Sequence, residues 1–331
     1  MKELKIGKNE DGKRMDAVLA RLLPKAGKGF IYKMLRKKNI VLNDKKADGS
    51  ERVSEGDVIR LYLSDETFDS FSEGQTPAVR NELSGTSGRE KDFANLIIYE
   101  DDDIILINKP AGMLSQKAQA DDVSANELLI GYLLDKDRIT EEELKSFKPS
   151  VCNRLDRNTS GILCAGISLK GSRELTRLIR ERLVDKYYAC IVKGVIGNEA
   201  NGFIRLRSFF SKDEKNNTAR IADREFEGSV PVEIEYMPVR SENGYTLLKV
   251  KLITGKSHQI RAQLAHIGHP IAGDAKYGDR RGNDELRGKY GIRTQLLTAF
   301  SFGFPQETRL EGVKGRTFTT ELPESFFIRG I

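Results

Sequence analysis

The sequence predicts an α+β protein whose larger part is built on a mixed or mostly antiparallel β-sheet flanked by helices and loops. Two observations carry that expectation: apolar runs of strand character outnumber the amphipathic helical stretches, and the two kinds do not alternate as they do in a doubly wound parallel sheet. A third concerns organisation. At 331 residues the chain exceeds one ordinary compact domain, so two are expected. The expected division is a small α/β domain over residues 1–63, a flexible linker over 64–94 and a larger α+β domain over 95–331.

The N-terminal unit is legible element by element. "RMDAVLARLLP" places Val18, Leu19, Leu22 and Leu23 on one helical face, and Pro24 stops the helix. "KGFIYKMLRKKNI" repeats the device with Phe30, Ile31, Met34 and Leu35, which sends Lys33, Arg36 and Lys37 to the other side. A short apolar run, "IVLN", a polar turn, "DKKADGS", and "VSEGDVIRLYL" with its Gly-Asp turn then read as a small hairpin. Residues 64–94, rich in Ser, Gly, Glu and Asp and poor in aliphatics, read as the linker.

Beyond it, "NLIIYEDDDIILINKPAGMLSQ" gives two β-prone runs around an acidic turn, closed by the breaker "KPAG". "DVSANELLIGYLLDKD" has helical spacing with Ser124 as N-cap. "SRELTRLIRERLV" is a second amphipathic helix with Leu175, Leu178, Ile179 and Leu183 on its apolar face. "KYYACIVKGVI" reads as a buried strand, and "YTLLKVKLITG" as a half-buried one that alternates Leu248, Val250 and Leu252 with Lys249 and Lys251. "SHQIRAQLAHIGHP" fits a helix closed by Gly268, with Pro270 beyond.

Composition narrows the function classes. No apolar run approaches the length of a membrane span and the N-terminus lacks the apolar core of a secretory signal, so a soluble, cytoplasmic protein with no membrane partner is expected. Cys152, Cys164 and Cys190 are odd in number and lack CxxC spacing, which argues against a disulfide framework or a thiolate zinc site. Charge is uneven. Residues 1–63 carry 16 Lys+Arg against 9 Asp+Glu, a net of +7, whereas the whole chain nets +6. A small basic unit on a near-neutral body suits docking to a polyanion; a merely solubilising surface is the alternative.

The chemistry is harder to read. His258, His266 and His269 lie within twelve residues, but Gly268 interrupts their helix and no neighbouring acid or thiol completes a metal site. "TGKSH" lacks the upstream glycine of a phosphate-cradling loop, and no Ser-centred nucleophile elbow occurs. What remains is "NRLDRNTSG", where Asp156 lies between Arg154 and Arg157. A guanidinium beside a carboxylate favours the ionised form, which suits a nucleophile or fixed base better than a general acid. Taken alone, the stretch reads equally as a surface turn held by an ion pair. A glycosidase would need a second carboxyl group about 5 Å away, and the motif segments offer no obvious one.

Two resemblances add to this reading. RxDxxL, "FIYKMLRKKNI" and "EGDVIRLYL", over about residues 14–63, resemble the αL RNA-binding motif of the fourth small-subunit ribosomal protein, which implies Lys33, Arg36, Lys37 and Lys38 as RNA-facing cations. "LIIYEDDDIILINKPAGM", "RLDRNTSGIL", "KYYACIVKG" and "TGKSHQIRAQLAHIGHPIAGDAKYG", over about residues 96–279, resemble the large-subunit rRNA pseudouridine synthases in order and spacing. The second resemblance implies the pseudouridine synthase fold and an isomerase needing neither cofactor nor metal. It would work as a monomer on 23S ribosomal RNA or a pre-ribosomal particle. Asp156 matches the catalytic aspartate, Arg154 the arginine that helps extrude the uridine, and Tyr188 the tyrosine that stacks on the base or takes its proton. Arg261 matches the arginine that salt-bridges the aspartate, and Ile260 the apolar residue against the base. Alternation along the strand allows only one of Tyr187 and Tyr188 into a pocket.

The chain departs from the family pattern at Asn153, where His is frequent, at Asn158, where Asp is, and at Lys256, where Arg is; Lys256 keeps the charge without the bidentate fork. A synthase directed at transfer RNA and a non-catalytic RNA-binding assembly factor are the alternative functions.

Overall fold

A computed structural model describes residues 1–7, 10–72, 90–119, 121–197 and 202–327. The chain divides into two compact units, one of Met1–Asn95, Asn126–Ser150 and Gly166–Ser172, the other of Leu96–Ala125, Val151–Ala165 and Arg173–Ile331.

In the first unit, α1 (Met15–Leu22) and α2 (Lys28–Arg36) lie on a four-stranded antiparallel sheet of β1 (Lys2–Lys5), β2 (Ile40–Leu42), β3 (Lys45–Lys46) and β4 (Val58–Leu61), in the order β1-β4-β2-β3. The helical stripes do what their spacing requires: Val18, Leu19, Ile31, Met34 and Leu35 are buried with Ile40, Ile59 and Leu61 from the sheet. β1 carries no strand pattern because "KELK" is charged at three of four positions and buries almost nothing.

The 64–94 stretch differs from a simple linker. Asp65–Phe71 forms α3, capped by Ser64, whose hydroxyl accepts from Thr67 N–H at 3.2 Å; Phe68 and Phe71 pack against the core, the Phe71 ring 4.3 Å from that of Phe30. Glu90–Ala94 forms α4, and residues 73–89 lie outside the described residues. Aromatic side chains anchor both helices, half-buried in α3 and fully buried in α4. Phe93 is fully buried, with its ring 5.5 Å from Tyr132 of α5 (Ala125–Asp135). α6 (Glu141–Ser146), which opens on a capping box between Thr140 and Glu143, lies against α1. Residues 126–150 therefore group with the N-terminal residues, unlike the expected single cut near residue 95. Ser124 does precede α5; its hydroxyl donates to the Ser115 carbonyl at 3.4 Å.

The second unit is a mixed sheet. Its strands are β5 (Ile97–Glu100), β6 (Ile104–Lys109), β7 (Ser150–Val151), β8 (Ser160–Gly166), β9 (Asp185–Lys193), β10 (Ile204–Asp213), β11 (Thr218–Ala222), β12 (Val230–Glu242), β13 (Tyr245–Leu252), β14 (Leu297–Gly303) and β15 (Thr317–Thr319). The order is β11-β10-β12-β13-β9-β14-β8-β6-β5, with β15 on β14 and β7 on β8. β8 and β14 run parallel, while β9, β10, β12 and β13 pair antiparallel. The expected hairpin around Asp101–Asp103 is present, and Asp101 Oδ1 accepts from the N–H groups of Asp103 and Ile104 at 2.8 Å each.

α7 (Leu169–Arg180) sends Leu175 and Leu178 into a core with Ile104, Ile162, Phe302 and Phe318. Leu183 departs from expectation. The helix stops at Arg180, Arg182 adopts φ 59°, and Leu183 N–H folds back to the Leu178 carbonyl, leaving the Leu183 side chain 43% exposed while Val184 takes the buried place. α8 (Gln259–His266) follows β13, and α9 (Arg280–Tyr290), which lacks a strong apolar stripe, was not anticipated.

The strand order has a consequence for function. Because β13, β9, β14 and β8 are neighbours, Ser160 at the start of β8 lies level with Ala189 of β9 through Thr298, and Lys251 near the end of β13 lies opposite Tyr187. Gly161 makes this close approach feasible. It lies opposite Ala299 in the parallel pair at φ 108°, and a Cβ there would overlap the Ala299 backbone. Gly161→Ala is expected to destabilise the protein by about 2 kcal/mol or more, read as a lowered thermal midpoint; an unchanged midpoint would contradict the account.

Candidate active site

The "NRLDRNTSG" segment lacks periodicity because it is neither helix nor strand; side chains and backbone from elsewhere hold it. Asn153 anchors its start on β8: Nδ2 donates to the Ile162 carbonyl at 3.2 Å, and Oδ1 accepts from Cys164 N–H at 2.7 Å. Buried Ser115 clamps Leu155, donating to its carbonyl at 2.9 Å and accepting from its N–H at 3.1 Å. Past the acid, Thr159 N–H donates to the Asp156 carbonyl at 3.0 Å.

Lys109 holds the other flank. Its side chain is fully buried at the end of β6, and Nζ donates to the carbonyls of Pro110, Met113 and Arg157 at 3.0, 2.8 and 3.1 Å. One ammonium thus ties the "KPAGM" turn to the Asp156 loop, satisfying three carbonyls at once. Burial pushes Lys109 down to about 8, against the opposing pull of the Asp156 charge.

Between these anchors the Asp156 side chain remains 26% exposed, and Arg261 reaches it. Arg261 Nη1 donates to Asp156 Oδ2 at 2.7 Å across 105 residues of sequence. The rest of the guanidinium faces Asp274 as a two-pronged fork, Nε to Oδ2 at 2.7 Å and Nη2 to Oδ1 at 2.8 Å. Asp274 is fully buried and also accepts from Lys276 and Tyr277 N–H. Burial works against the Arg261 charge, but the bonds and charge of Asp274 and then Asp156 outweigh it and hold the guanidinium above its usual range. Burial likewise opposes the Asp274 charge, and Arg261 reverses that, holding the carboxyl below its usual range. Asp156 Oδ1 accepts no hydrogen bond among the described residues, so one oxygen is fixed and the other is available.

Local sequence explains why α8 presents Arg261 here. Gln259 Oε1 accepts from Thr254 Oγ1 at 3.0 Å and Lys256 N–H at 3.1 Å, while Nε2 donates to the Glu233 carbonyl at 3.1 Å. That side chain pins the helix start to β12 and buries Gln259, Ile260 and Arg261 together. Exposed Lys256 contributes its backbone rather than its charge.

The other expected residues divide. Tyr188 is buried on β9, opposite Val250. Burial, and secondarily the negative charge of Asp156, push its phenol well above the usual value. Tyr187 falls on the other face, its ring under Lys249 Nζ at 4.6 Å, as strand alternation requires. Ile260 is buried next to Arg261. Arg154 and Arg157 are both exposed, and among the described residues the guanidinium that meets Asp156 is that of Arg261. Lys33, Arg36, Lys37 and Lys38 are all exposed on α2 and the turn after it, in the first unit.

The histidines separate: His258 approaches Asp156, His266 Nε2 meets Asp223 Oδ1 at 2.8 Å, and His269 Nδ1 meets the Lys193 carbonyl at 3.0 Å. Residue reading assigned no role to Lys109, Asp274 or Tyr277. All three lie inside the quoted motif segments, so the signal was present, but neither a buried ammonium nor a shared guanidinium shows in one dimension.

Comparison with known proteins bears on this geometry. The family model described as RNA pseudouridylate synthase matches residues 103–266. The chain is similar to "Ribosomal large subunit pseudouridine synthase C" of Rickettsia bellii, 32% identical over 273 residues, 82% of this chain and 84% of that one. It is 28% identical to the protein of the same name from Vibrio vulnificus over 298 residues, 88% of this chain and 85% of that one. Among solved structures, "Human RNA Pseudouridylate Synthase Domain Containing 4" has a TM-score of 0.56 at 20% identity, covering 75% of this chain and 95% of that one, a likeness of fold.

Lys109 gives a pH test of the loop. Above its ordinary 10.5 both folded and unfolded chains hold the lysine neutral; between 10.5 and about 8 the unfolded chain takes up a proton that the folded chain does not. The folded chain therefore gains stability as pH rises from about 8 to 10.5 and loses it as pH falls back through that window. The stability difference between wild type and Lys109→Met should climb by about 1 kcal/mol per pH unit across that window. Paired denaturation curves at successive pH values check this, and a flat difference would refute it.

Proposed function

The chain belongs to the RNA pseudouridylate synthase family, and from that premise we propose that it isomerises specific uridines of large-subunit (23S) ribosomal RNA, with Asp156 attacking a flipped-out uridine. The observation that carries the mechanism is the fixed and free pair of oxygens on Asp156, one bound by Arg261 at 2.7 Å and the other open. A nucleophile needs a charged, oriented and accessible atom, and Oδ1 of a carboxylate clamped through Oδ2 meets all three conditions. The second carboxylate, Asp274, does not enter the chemistry: it is fully buried and both oxygens are engaged by Arg261.

In the reaction the bond between ribose C1′ and N1 of the base breaks, the base turns, and a bond from C1′ to C5 forms. N1 gains a proton and C5 loses one, so the change is an isomerisation without redox chemistry. A base inside folded RNA has to leave its stack first, at a cost of a few kcal/mol. On this reading Arg154, which is exposed on the Asp156 loop, fills the vacated space, while Tyr188 and Ile260 supply aromatic and apolar surface for the base. Tyr188 keeps its proton tightly, which favours stacking over proton abstraction as its task.

The names of the relatives support ribosomal RNA over transfer RNA as substrate. The basic face of α2 supports a docking role for the first unit, through Lys33, Arg36, Lys37 and Lys38. On this reading the protein acts in the cytoplasm as a monomer, on ribosomal RNA or a pre-ribosomal particle, with no cofactor or metal.

Pseudouridine mapping in a strain lacking the protein is expected to show loss at one or a few 23S positions, restored by the wild-type chain and not by Asp156→Ala. Restoration by Asp156→Ala would sink the nucleophile, and loss confined to transfer RNA would overturn the substrate. For docking, replacing Lys33, Arg36 and Lys37 by Ala should weaken RNA binding and lower the slope of log affinity against log salt by about 2–3. An unaltered slope would remove α2 from the interface.

A further inference from the structure

His258 stands at the N-terminus of α8, where a residue ordinarily takes an extended conformation and caps the helix with its side chain. It does neither. Its backbone is left-handed, φ 57° and ψ 16°, and the side chain makes no capping bond. The left-handed region is uncommon for a residue other than glycine, and here the hydrogen bond to Tyr277 holds the imidazole in the site. The ring is 12% exposed, Nδ1 lies 3.0 Å from Tyr277 Oη, and Nε2 lies 3.9 Å from Asp156 Oδ2.

The hydrogen-bond chain assigns the ring's protons. Ala219 N–H donates to Tyr277 Oη at 2.6 Å, so the phenol oxygen is already engaged as an acceptor and meets His258 Nδ1 best as a donor. Nδ1 is then an acceptor and Nε2 carries the hydrogen. Burial first, and the Arg261 and Lys276 charges with it, favour the neutral ring against the opposing pull of Asp156 and Asp274. The Nε2–H thus faces the Oδ2 of a carboxylate at a separation too long for a direct bond.

A gap of this size between a donor and an acceptor has a definite complement. An oxygen seated about 2.7–3.0 Å from each must accept from Nε2 and donate to Oδ2. A phosphate oxygen or a base carbonyl can only accept and would be repelled by the carboxylate, whereas a water or a substrate hydroxyl does both, and the hydroxyl can take the water's place. Ribose offers one beside the glycosidic bond, the 2′-hydroxyl, the group by which a protein tells RNA from DNA. We propose that His258, held by Tyr277, binds the 2′-hydroxyl of the target nucleotide against Asp156 Oδ2 and so makes the site selective for ribose.

This inference rests on the reading of the site as a uridine isomerase, and the test separates the two. The probe is a synthetic RNA spanning a mapped target uridine, with either uridine or 2′-deoxyuridine at that one position, turned over by the full chain. Wild type should favour uridine by at least about tenfold in kcat/KM, the worth of one well-made hydrogen bond. His258→Asn, chosen because Asn tolerates the left-handed backbone, should bring the ratio to within about threefold. Tyr277→Phe, which removes the proton that sets the imidazole tautomer, should move the ratio the same way. The intrinsic difference between the two glycosidic bonds enters every protein equally, so the ratio reports the contact rather than folding. A wild type indifferent to the 2′-hydroxyl, or a folded His258→Asn or Tyr277→Phe that keeps the full ratio, overturns the inference while the isomerase reading stands. A wild type that forms no pseudouridine in the uridine RNA overturns both.

Discussion

A guanidinium taken out of water has to find its charge and its donors answered inside the protein, and Arg261 finds both in two carboxylates from distant parts of the chain. The Asp274 fork makes a buried pair whose rupture would leave an uncompensated charge, worth about 3–5 kcal/mol. That pair fixes the plane of the guanidinium and so the direction in which Nη1 points. Nη1 then meets Asp156 at 2.7 Å, so the geometry of the exposed acid is inherited from a contact the solvent does not reach. Neither carboxylate could be neutral without loosening the other's partner.

The same logic extends to the loop. An irregular segment packed against a sheet has carbonyls and N–H groups with no ladder to join, and each has to be met by a side chain or by backbone from elsewhere. Asn153, Ser115 and Lys109 perform that service for the residues around Asp156, and none of them touches the carboxylate itself. Asn153 forms two bonds to the β8 backbone. Its amide fits there because one end accepts and the other donates.

Legibility in the sequence followed periodicity. α1, α2 and β13 repeat their apolar residues at the interval their geometry demands, β9 and the β5–β6 hairpin are apolar runs, and α8 is marked by its Gly268 and Pro270 stop. Elements without such a stripe were missed: β1 is charged and exposed, α9 buries only Leu286 of its eleven residues, and α3 sits in a stretch whose composition suggested a linker. Leu183 shows the limit of extrapolating a stripe, since a left-handed Arg182 ends the helix before the pattern does. In the site, Asp156 stood out as an acid between arginines, yet its partner is neither of those neighbours.

By itself the sequence determined the α+β class, most of the helices, the basic character of the N-terminal residues and, through four ordered segments, a resemblance to one family of enzymes. These are properties of composition and of local repetition, which a chain carries whether or not it is folded. Tertiary structure alone decided that Asp156 pairs with Arg261, that Asp274 holds the other side of that guanidinium, and that Lys109 loses its water to bind three carbonyls. It also turned His258 toward the acid. Each of these depends on which strands become neighbours and on what solvent is excluded, and burial converts ordinary charged side chains into oriented ones because an unmatched charge cannot remain in a dry interior.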